Sequence, residues 1–186
     1  MGGLGRGEPH ELHLCATCLI AELPLVDAGA ARAAARRQLE AGPQQDDPQF
    51  QTWRGASPGE PRLVHDLQGQ LAYWLVPVRQ GETTVGAVRV LPDGQAAASI
   101  AYRTGSDVTA LDTAEALQQA GSAIAAHLGE RAGSVLLVHD GPPGREAWRV
   151  EVLRDDRVVR WVFVTPGGTY NRAPGNAGGE QGVLGQ

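Results

Sequence analysis

The sequence predicts an α+β fold of two tandem repeats, each a helix packed on an antiparallel meander sheet. The first observation is an ungapped internal match at a spacing of 74 residues, with 12 identities over the 32 positions 63–94, where about two are expected by chance. The second is that both copies place valine at every other position, as half-buried strands do. The third is a helical pattern ahead of each copy. Together they indicate duplication of one supersecondary unit.

The strands follow in the same order in both copies. Each copy begins with Trp-x-Val-x-Val, continues through a polar turn into a second valine-rich strand, and reaches a turn containing Pro and Gly. Connections this short predict antiparallel hairpins. The first copy adds a strand over 96–102, whereas its counterpart from Thr169 fades into a glycine-rich tail. The predicted strands are 74–78, 84–91 and 96–102 in the first copy, and 148–152, 158–165 and a short one from Thr169 in the second.

A helix is predicted before each sheet segment. In the first copy it spans 28–41, with Asp27 as N-cap and Gly42 as the stop. In the second copy Asp107 or Thr109 can act as the cap. One face of that second helix is apolar and is predicted to bury against the sheet. This face comprises Leu111, Ala114, Leu117, Gly121, Ile124 and Leu128.

These elements divide the chain into four parts: an N-terminal segment, two repeats and a tail. The first repeat contains an inserted loop over 43–61, rich in Pro, Gln, Gly and Asp, which the second repeat lacks. Phe50 and Trp53 within this loop either pin it to the body or contact a partner, and we take them as candidate binding residues. The predicted boundaries are 1–26 for the segment, 27–105 and 106–173 for the repeats, and 174–186 for a disordered tail.

The order of helix, Trp-x-Val-x-Val, polar turn, Val-x-Val strand and Gly turn resembles the PepSY domain family. The likeness lies in 74–94 and 148–168 with their preceding helices, about two thirds of the chain. It implies small cystatin-like α+β domains, often in tandem, that bind or restrain a partner, with peptidase inhibition often proposed. The family has no set of catalytic residues. PepSY domains usually lie outside the cytoplasm or beside a membrane, and this chain departs from them in lacking a clear export signal.

Charge and hydropathy exclude several classes of partner. The formal charge is −5, and an acidic balance predicts no nucleic-acid binding through phosphates. Arg32, Arg36 and Arg37 form a local basic exception, which we interpret as a solvated helix surface. No apolar run reaches about 18 residues, so no transmembrane helix and no membrane partner are predicted. Glu8 and Glu11 precede the first apolar run where a signal peptide needs basic residues. We predict a cytoplasmic protein, or an extracytoplasmic one if the start codon is mis-assigned.

The N-terminal segment holds the strongest candidate metal site. His10, His13, Cys15 and Cys18 place four soft ligands within nine residues, and thiolate and imidazole suit zinc. The close spacing of His13 and Cys15, and the lack of a second ligand pair at zinc-finger distance, favour the alternative that the cysteines pack in a core.

The duplicated His65-Asp66 and His139-Asp140 pairs are the remaining candidates for chemistry. Histidine beside carboxylate suits acid–base work or metal coordination. Adjacent strand residues point to opposite faces, however, and an Asp at a strand end commonly caps the next turn. We favour this structural interpretation and predict no catalytic residues.

We therefore predict a non-enzymatic module that binds or inhibits a protein or peptide partner, as a monomer or a homodimer, without a resident cofactor. Two alternatives stay open. One is a metal-binding protein that uses the N-terminal His/Cys cluster for zinc. The other is a small-ligand carrier with a pocket between a helix and a curved sheet.

Overall fold

The computed structural model describes residues 25–41, 47–102, 107–141 and 144–174. Within them the dominant element is one nine-stranded mixed sheet with the strand order β5-β4-β3-β2-β6-β7-β8-β9, and β1 pairs with β3 off this path. Two α-helices and two short 3-10 turns accompany it. The elements are α1 (Ala28–Glu40), a 3-10 turn (Pro48–Trp53), β1 (Ser57–Pro58), β2 (Arg62–His65), β3 (Leu71–Gln80), β4 (Thr83–Val90), β5 (Ala96–Ala101), a 3-10 turn (Val108–Ala110), α2 (Thr113–Ala125), β6 (Arg131–His139), β7 (Glu146–Arg154), β8 (Arg157–Thr165) and β9 (Gly168–Arg172).

The prediction of two repeats, each with its own antiparallel meander sheet, is wrong. β2 and β6 pair in parallel, with His65 opposite Val138, and this seam joins all the strands into a single mixed sheet. The physical reason is that a meander ending at β2 or at β6 leaves an unpaired row of backbone groups, and pairing the two rows removes both edges. Hairpin signals are local, so they carry no information about a pairing between residues 73 positions apart.

The two sides of the seam share one hydrogen-bonding register. Leu63 pairs with Trp74 in the first half of the sheet (β1–β5), and Leu137 pairs with Trp148 in the second half (β6–β9). The β3–β4 ladder shifts register after Val78, and the β7–β8 ladder shifts after Val152, the residue 74 positions later. Most residues matched in the sequence comparison therefore occupy matching ladder positions. His65 and His139 do not, because the β2–β3 ladder shifts register between Val64 and His65.

The two helices cover opposite faces of the sheet. Along β2, Leu63 packs with the core beneath α1, whereas Val64 belongs to the core beneath α2. Consecutive strand residues point to opposite faces, so the two cores lie on opposite sides. α1 buries alanines against Trp74 and the valines of β3 and β4, and α2 buries Ala116, Ala120 and Ile124 against Trp148 and the valines of β7 and β8.

The helix ends differ in part from those predicted. Asp27 is confirmed as the N-cap of α1, since its side chain accepts a hydrogen bond from the Ala30 N–H. α2 is capped by Asp112, which forms a capping box with Glu115, because this reciprocal pair satisfies two backbone N–H groups at once. Asp107 caps the preceding 3-10 turn instead. Leu128, predicted on the apolar face, lies beyond the helix and is fully exposed.

The predicted insertion is partly ordered structure. Its described portion, from residue 47 onwards, contains the first 3-10 turn and the short strand β1, which pairs with the far end of β3. Residues 42–46, the N-terminal residues 1–24 and the tail from 175 lie outside the described residues. In the part of the chain that the structure describes, no helix combines the length and the apolar character needed to cross a membrane.

Candidate functional site

The predicted metal ligands His10, His13, Cys15 and Cys18 all lie outside the described residues. Zinc binding by this cluster therefore stays a prediction. Among the residues that the structure does describe, no group of three or more His, Cys, Asp or Glu side chains is placed to hold a metal ion.

Phe50 and Trp53, the candidate binding residues, are both buried in the core beneath α1. Their rings meet edge to face at 4.7 Å between centroids. The indole of Trp53 lies on Gly86, where an added Cβ would come within 2.5 Å of the ring, and its Nε1 donates to the Val85 carbonyl at 3.2 Å. The contacts described here pin the inserted segment to β4. A partner-binding role for the two rings stays a prediction.

The two Asp residues of the His-Asp pairs serve different structural roles. The Asp66 carboxylate accepts from the backbone N–H groups of Gln68 and Gln70, at 2.9 and 2.8 Å, and so caps the turn between β2 and β3. Turn capping is confirmed at this position. The Asp140 carboxylate instead accepts from the Tyr170 hydroxyl at 2.8 Å and pairs with Arg172, which ties β9 to the end of β6.

The two histidines also have separate surroundings. His65 Nδ1 lies 3.4 Å from the Leu137 carbonyl across the seam. The His139 ring lies 5.8 Å from the ring of Tyr73, and its Nδ1 is buried without a hydrogen-bond partner among the described residues. Each imidazole thus faces a different set of groups from its counterpart.

A buried polar cluster spans the two halves of the sheet, and sequence reasoning missed it. The Glu146 carboxylate accepts from Arg89 Nη2 and from the Tyr73 hydroxyl, both at 2.8 Å, and the Glu146 side chain is 1% exposed. The Arg89 guanidinium also lies over the Tyr73 ring, 4.2 Å from its centroid. Because Arg89 is 57 residues from Glu146, no local pattern could have paired them.

Two tyrosines beside this ion pair are held in the neutral form. Burial, followed by the Glu146 charge, raises the pKa of the Tyr73 hydroxyl above its ordinary value. The same two causes raise the pKa of Tyr102, whose hydroxyl is buried without a hydrogen-bond partner in the described ranges. The cluster is thus a neutralised ion pair with neutral phenols around it, an arrangement suited to locking β4 to β7.

The first half of the sheet ends in an unusual edge strand. β5 pairs with β4 on one side, and no strand of the described residues pairs with its other side. Its sequence, AAASIA, contains no charge and no proline. Edge strands normally carry charged side chains or proline that prevent pairing with another chain. At the other edge, β9 ends in an arginine that pairs with Asp140.

A polar cavity of about 360 Å³ lies between the first half of the sheet and the 3-10 turn Val108–Ala110, on the face opposite α1. Side chains of both charge signs and three threonines line it. Arg62 makes no hydrogen bond or ion pair with a described residue, and Arg79 donates only to the Glu82 carbonyl. The lining includes Glu60, Arg62, Arg79, Glu82, Thr84 and Thr109.

Comparisons with protein-family models, with curated proteins and with solved structures found no match. The resemblance to PepSY domains therefore stays a prediction, and what the chain binds has to be argued from its own residues.

Proposed function

We propose that the protein is a non-enzymatic binding module that takes an extended segment of a protein or peptide partner along the outer edge of β5, with which no strand of the described residues pairs. The observation that carries this proposal is the six-residue edge strand without charge or proline. An extended peptide can add to such an edge as a further strand, with main-chain hydrogen bonds supplying affinity.

The direction of the backbone groups supports strand addition. The Tyr102 N–H donates to the Val85 carbonyl of β4 at 3.0 Å. Since successive backbone N–H groups in a strand point to opposite sides, the N–H of the preceding residue, Ala101, points away from β4. Ile100 lies in the core on the α2 side, and Ala101 packs towards α1. The strand is therefore fixed on both faces, and no strand of the described residues pairs with its outer edge.

Selection from a random peptide display library on the immobilised wild-type protein tests this proposal. Peptides selected on the wild type should bind Ala101→Pro at least ~10-fold more weakly, because proline removes the outward N–H and its ring blocks the edge. Ala101→Ser is the matched control, since it retains the N–H and nearly the same volume, and it should bind like the wild type.

If Ala101→Pro does not fold, Ala97→Lys provides a second edge variant, because the Ala97 side chain is exposed and lysine protects natural edges. Equal binding to the wild type and to a folded edge variant would exclude β5 as the site. A selection that enriches no peptide would count against the proposal as well.

The polar cavity favours a second candidate function, a small-ligand carrier. Its volume of about 360 Å³ lies at the small end of ligand sites. Unpaired charges of both signs suit a zwitterionic ligand, which Arg62 and Glu60 could hold at opposite ends. Native mass spectrometry of the purified protein should then show an added mass that Arg62→Met loses. A wild-type spectrum without added mass, or an added mass that persists in Arg62→Met, would reject this candidate.

A further inference from the structure

The outward face of α1 carries an arginine-lined groove. Gly29, Arg32, Ala33, Arg36 and Arg37 line a space of about 300 Å³. Their spacing of three or four residues places them on one side of the helix. Gly29 and Ala33 extend no side chain beyond Cβ, so they form a shallow floor between the guanidinium groups. The groove therefore concentrates three positive charges on a protein whose formal charge is −5.

Arg32 is held in place at one side of this groove. Its Nε donates to the Pro58 carbonyl at 3.1 Å, which anchors the guanidinium against β1. This bond uses one of its five N–H donors, and the terminal amino groups make no hydrogen bond with a described residue. An anchored guanidinium loses less freedom on binding a ligand than a free one does.

The side chains of Arg36 and Arg37 make no hydrogen bond or ion pair with any described residue. The two acidic residues at the ends of the helix make no ion pair with these arginines: Asp27 caps the helix beside Gly29, and Glu40 forms no ion pair in the described ranges. Arg32 and Arg36 are four residues apart, a spacing at which like charges repel and weaken a helix. The three positive charges thus have no ion-pair partner among the described residues.

Several arginines in the second half of the sheet do have partners. Arg160 binds Glu130 at 2.6 Å, and Arg154 binds the other oxygen of the same carboxylate at 2.9 Å. Arg149 is buried over the Trp161 ring and donates to the Leu67 carbonyl. α2 carries no arginine at all. Arg62 and Arg157 also lack an ion pair among the described residues, so what sets α1 apart is that three arginines lie side by side on one helix face.

We infer that the α1 groove binds a small ligand that carries a pyrophosphate group. Guanidinium forks match phosphate oxygens in geometry and charge. Arg32 and Arg36 lie about 6 Å apart along the axis, so the ligand must present several negative charges over a short distance. Two linked phosphates do so, whereas a polycarboxylate spreads one charge over each of several arms. The inference is independent of peptide binding along β5, because the groove uses α1 side chains only.

Calorimetric titration of the full chain with inorganic pyrophosphate at low ionic strength tests the inference. Saturable binding is expected, and it should weaken as salt is added. Arg36→Gln should weaken it at least ~10-fold, since it removes a charge-assisted hydrogen-bond donor. Arg157→Gln is the matched control, because Arg157 is exposed in the β7–β8 hairpin and makes no ion pair with a described residue. It should leave the affinity within about twofold of the wild type.

The source of the pyrophosphate group is distinguished by parallel titrations with ADP, adenosine and citrate. Tighter binding of ADP than of pyrophosphate, with none of adenosine, identifies a nucleotide. Equal binding of ADP and pyrophosphate identifies the diphosphate alone. Citrate binding as tight as that of pyrophosphate would overturn the phosphate assignment. Absence of pyrophosphate binding, or equal losses in Arg36→Gln and Arg157→Gln, would overturn the site.

Discussion

Gly86 and Arg160 occupy the same ladder position in the two halves of the sheet, opposite Val78 and Val152. The space beside this position is filled by different groups in the two halves. In the first half, Gly86 leaves a space that the Trp53 indole fills. In the second half, the Arg160 side chain extends to Glu130 and to the Ala123 carbonyl at the end of α2. One backbone ladder thus accepts either an aromatic ring from an inserted segment or an ion-pair network beneath a helix.

The halves also differ in how they use charge. Arg89 is the one arginine of the first half that forms an ion pair among the described residues, and its partner Glu146 belongs to the second half. The five other ion pairs lie within residues 130–172. Most of the described ion pairs thus lie within the second half, whereas the two proposed charge-lined ligand sites lie along the first half. The first half is therefore the part of the molecule in which to look for binding.

The largest expected effect tests whether the two halves form one folding unit. Glu146→Ala leaves the Arg89 guanidinium, 13% exposed, without its partner. We expect a loss of about 3 kcal/mol in the free energy of unfolding, measured by urea denaturation. Arg131→Ala, which breaks an ion pair whose side chains are 60% and 88% exposed, should cost less than about 1 kcal/mol. Equal losses in the two variants, or separate transitions for the two halves, would show that Arg89 and Glu146 do not join them.

The next effect concerns the space over Gly86. A Cβ at this position would lie 2.3 Å from the Ile100 carbonyl oxygen and 2.5 Å from the Trp53 ring. Gly86→Ala should therefore lower the free energy of unfolding by about 1–3 kcal/mol. In a Trp53→Ala background the same change should cost less, and a double-mutant cycle measures this coupling. If the losses in unfolding free energy of the two single variants simply add, the packing of Trp53 does not depend on Gly86.

The smallest effect is the pH dependence of the second-half network. Hydrogen bonding to Arg160 holds the pKa of Glu130 below its ordinary value. The folded state then binds protons less readily than the unfolded state, so this stabilisation is present at neutral pH and is lost as the pH falls through the lowered pKa. The difference in unfolding free energy between the wild type and Glu130→Gln should shrink between neutral pH and about pH 3. A difference that does not change with pH would contradict this role of Arg160.

Local features of the fold could be predicted from the sequence, and distant pairings could not. The alternation at Trp74 and Trp148 predicts strands, and β3 and β7 confirm it, because period two is a property of one segment. The seam between His65 and Val138 joins residues that no turn connects. Trp53 over Gly86 was equally hidden, since the sequence shows an aromatic residue in a loop and a glycine in a strand without linking them.

The same contrast between local patterns and distant contacts applies to the residues of the proposed sites. The Arg32, Arg36 and Arg37 pattern is visible in the sequence, which favours a solvated surface, because the partners of these side chains depend on the tertiary fold. The structure adds that Gly29 and Ala33 line a groove with them and that they have no acidic partner among the described residues. The β5 edge likewise needed the strand order, since AAASIA alone does not show which strand lies last.

The parallel seam has a consequence for how quickly the chain folds. The β3–β4 and β7–β8 hairpins join neighbouring segments, whereas the seam closes a loop of 73 residues for a short pairing. Loop closure costs entropy before the contacts that reward it can form, so we expect each half to assemble first and the seam to close late. Substitutions at the seam should then accelerate unfolding while leaving the refolding rate nearly unchanged.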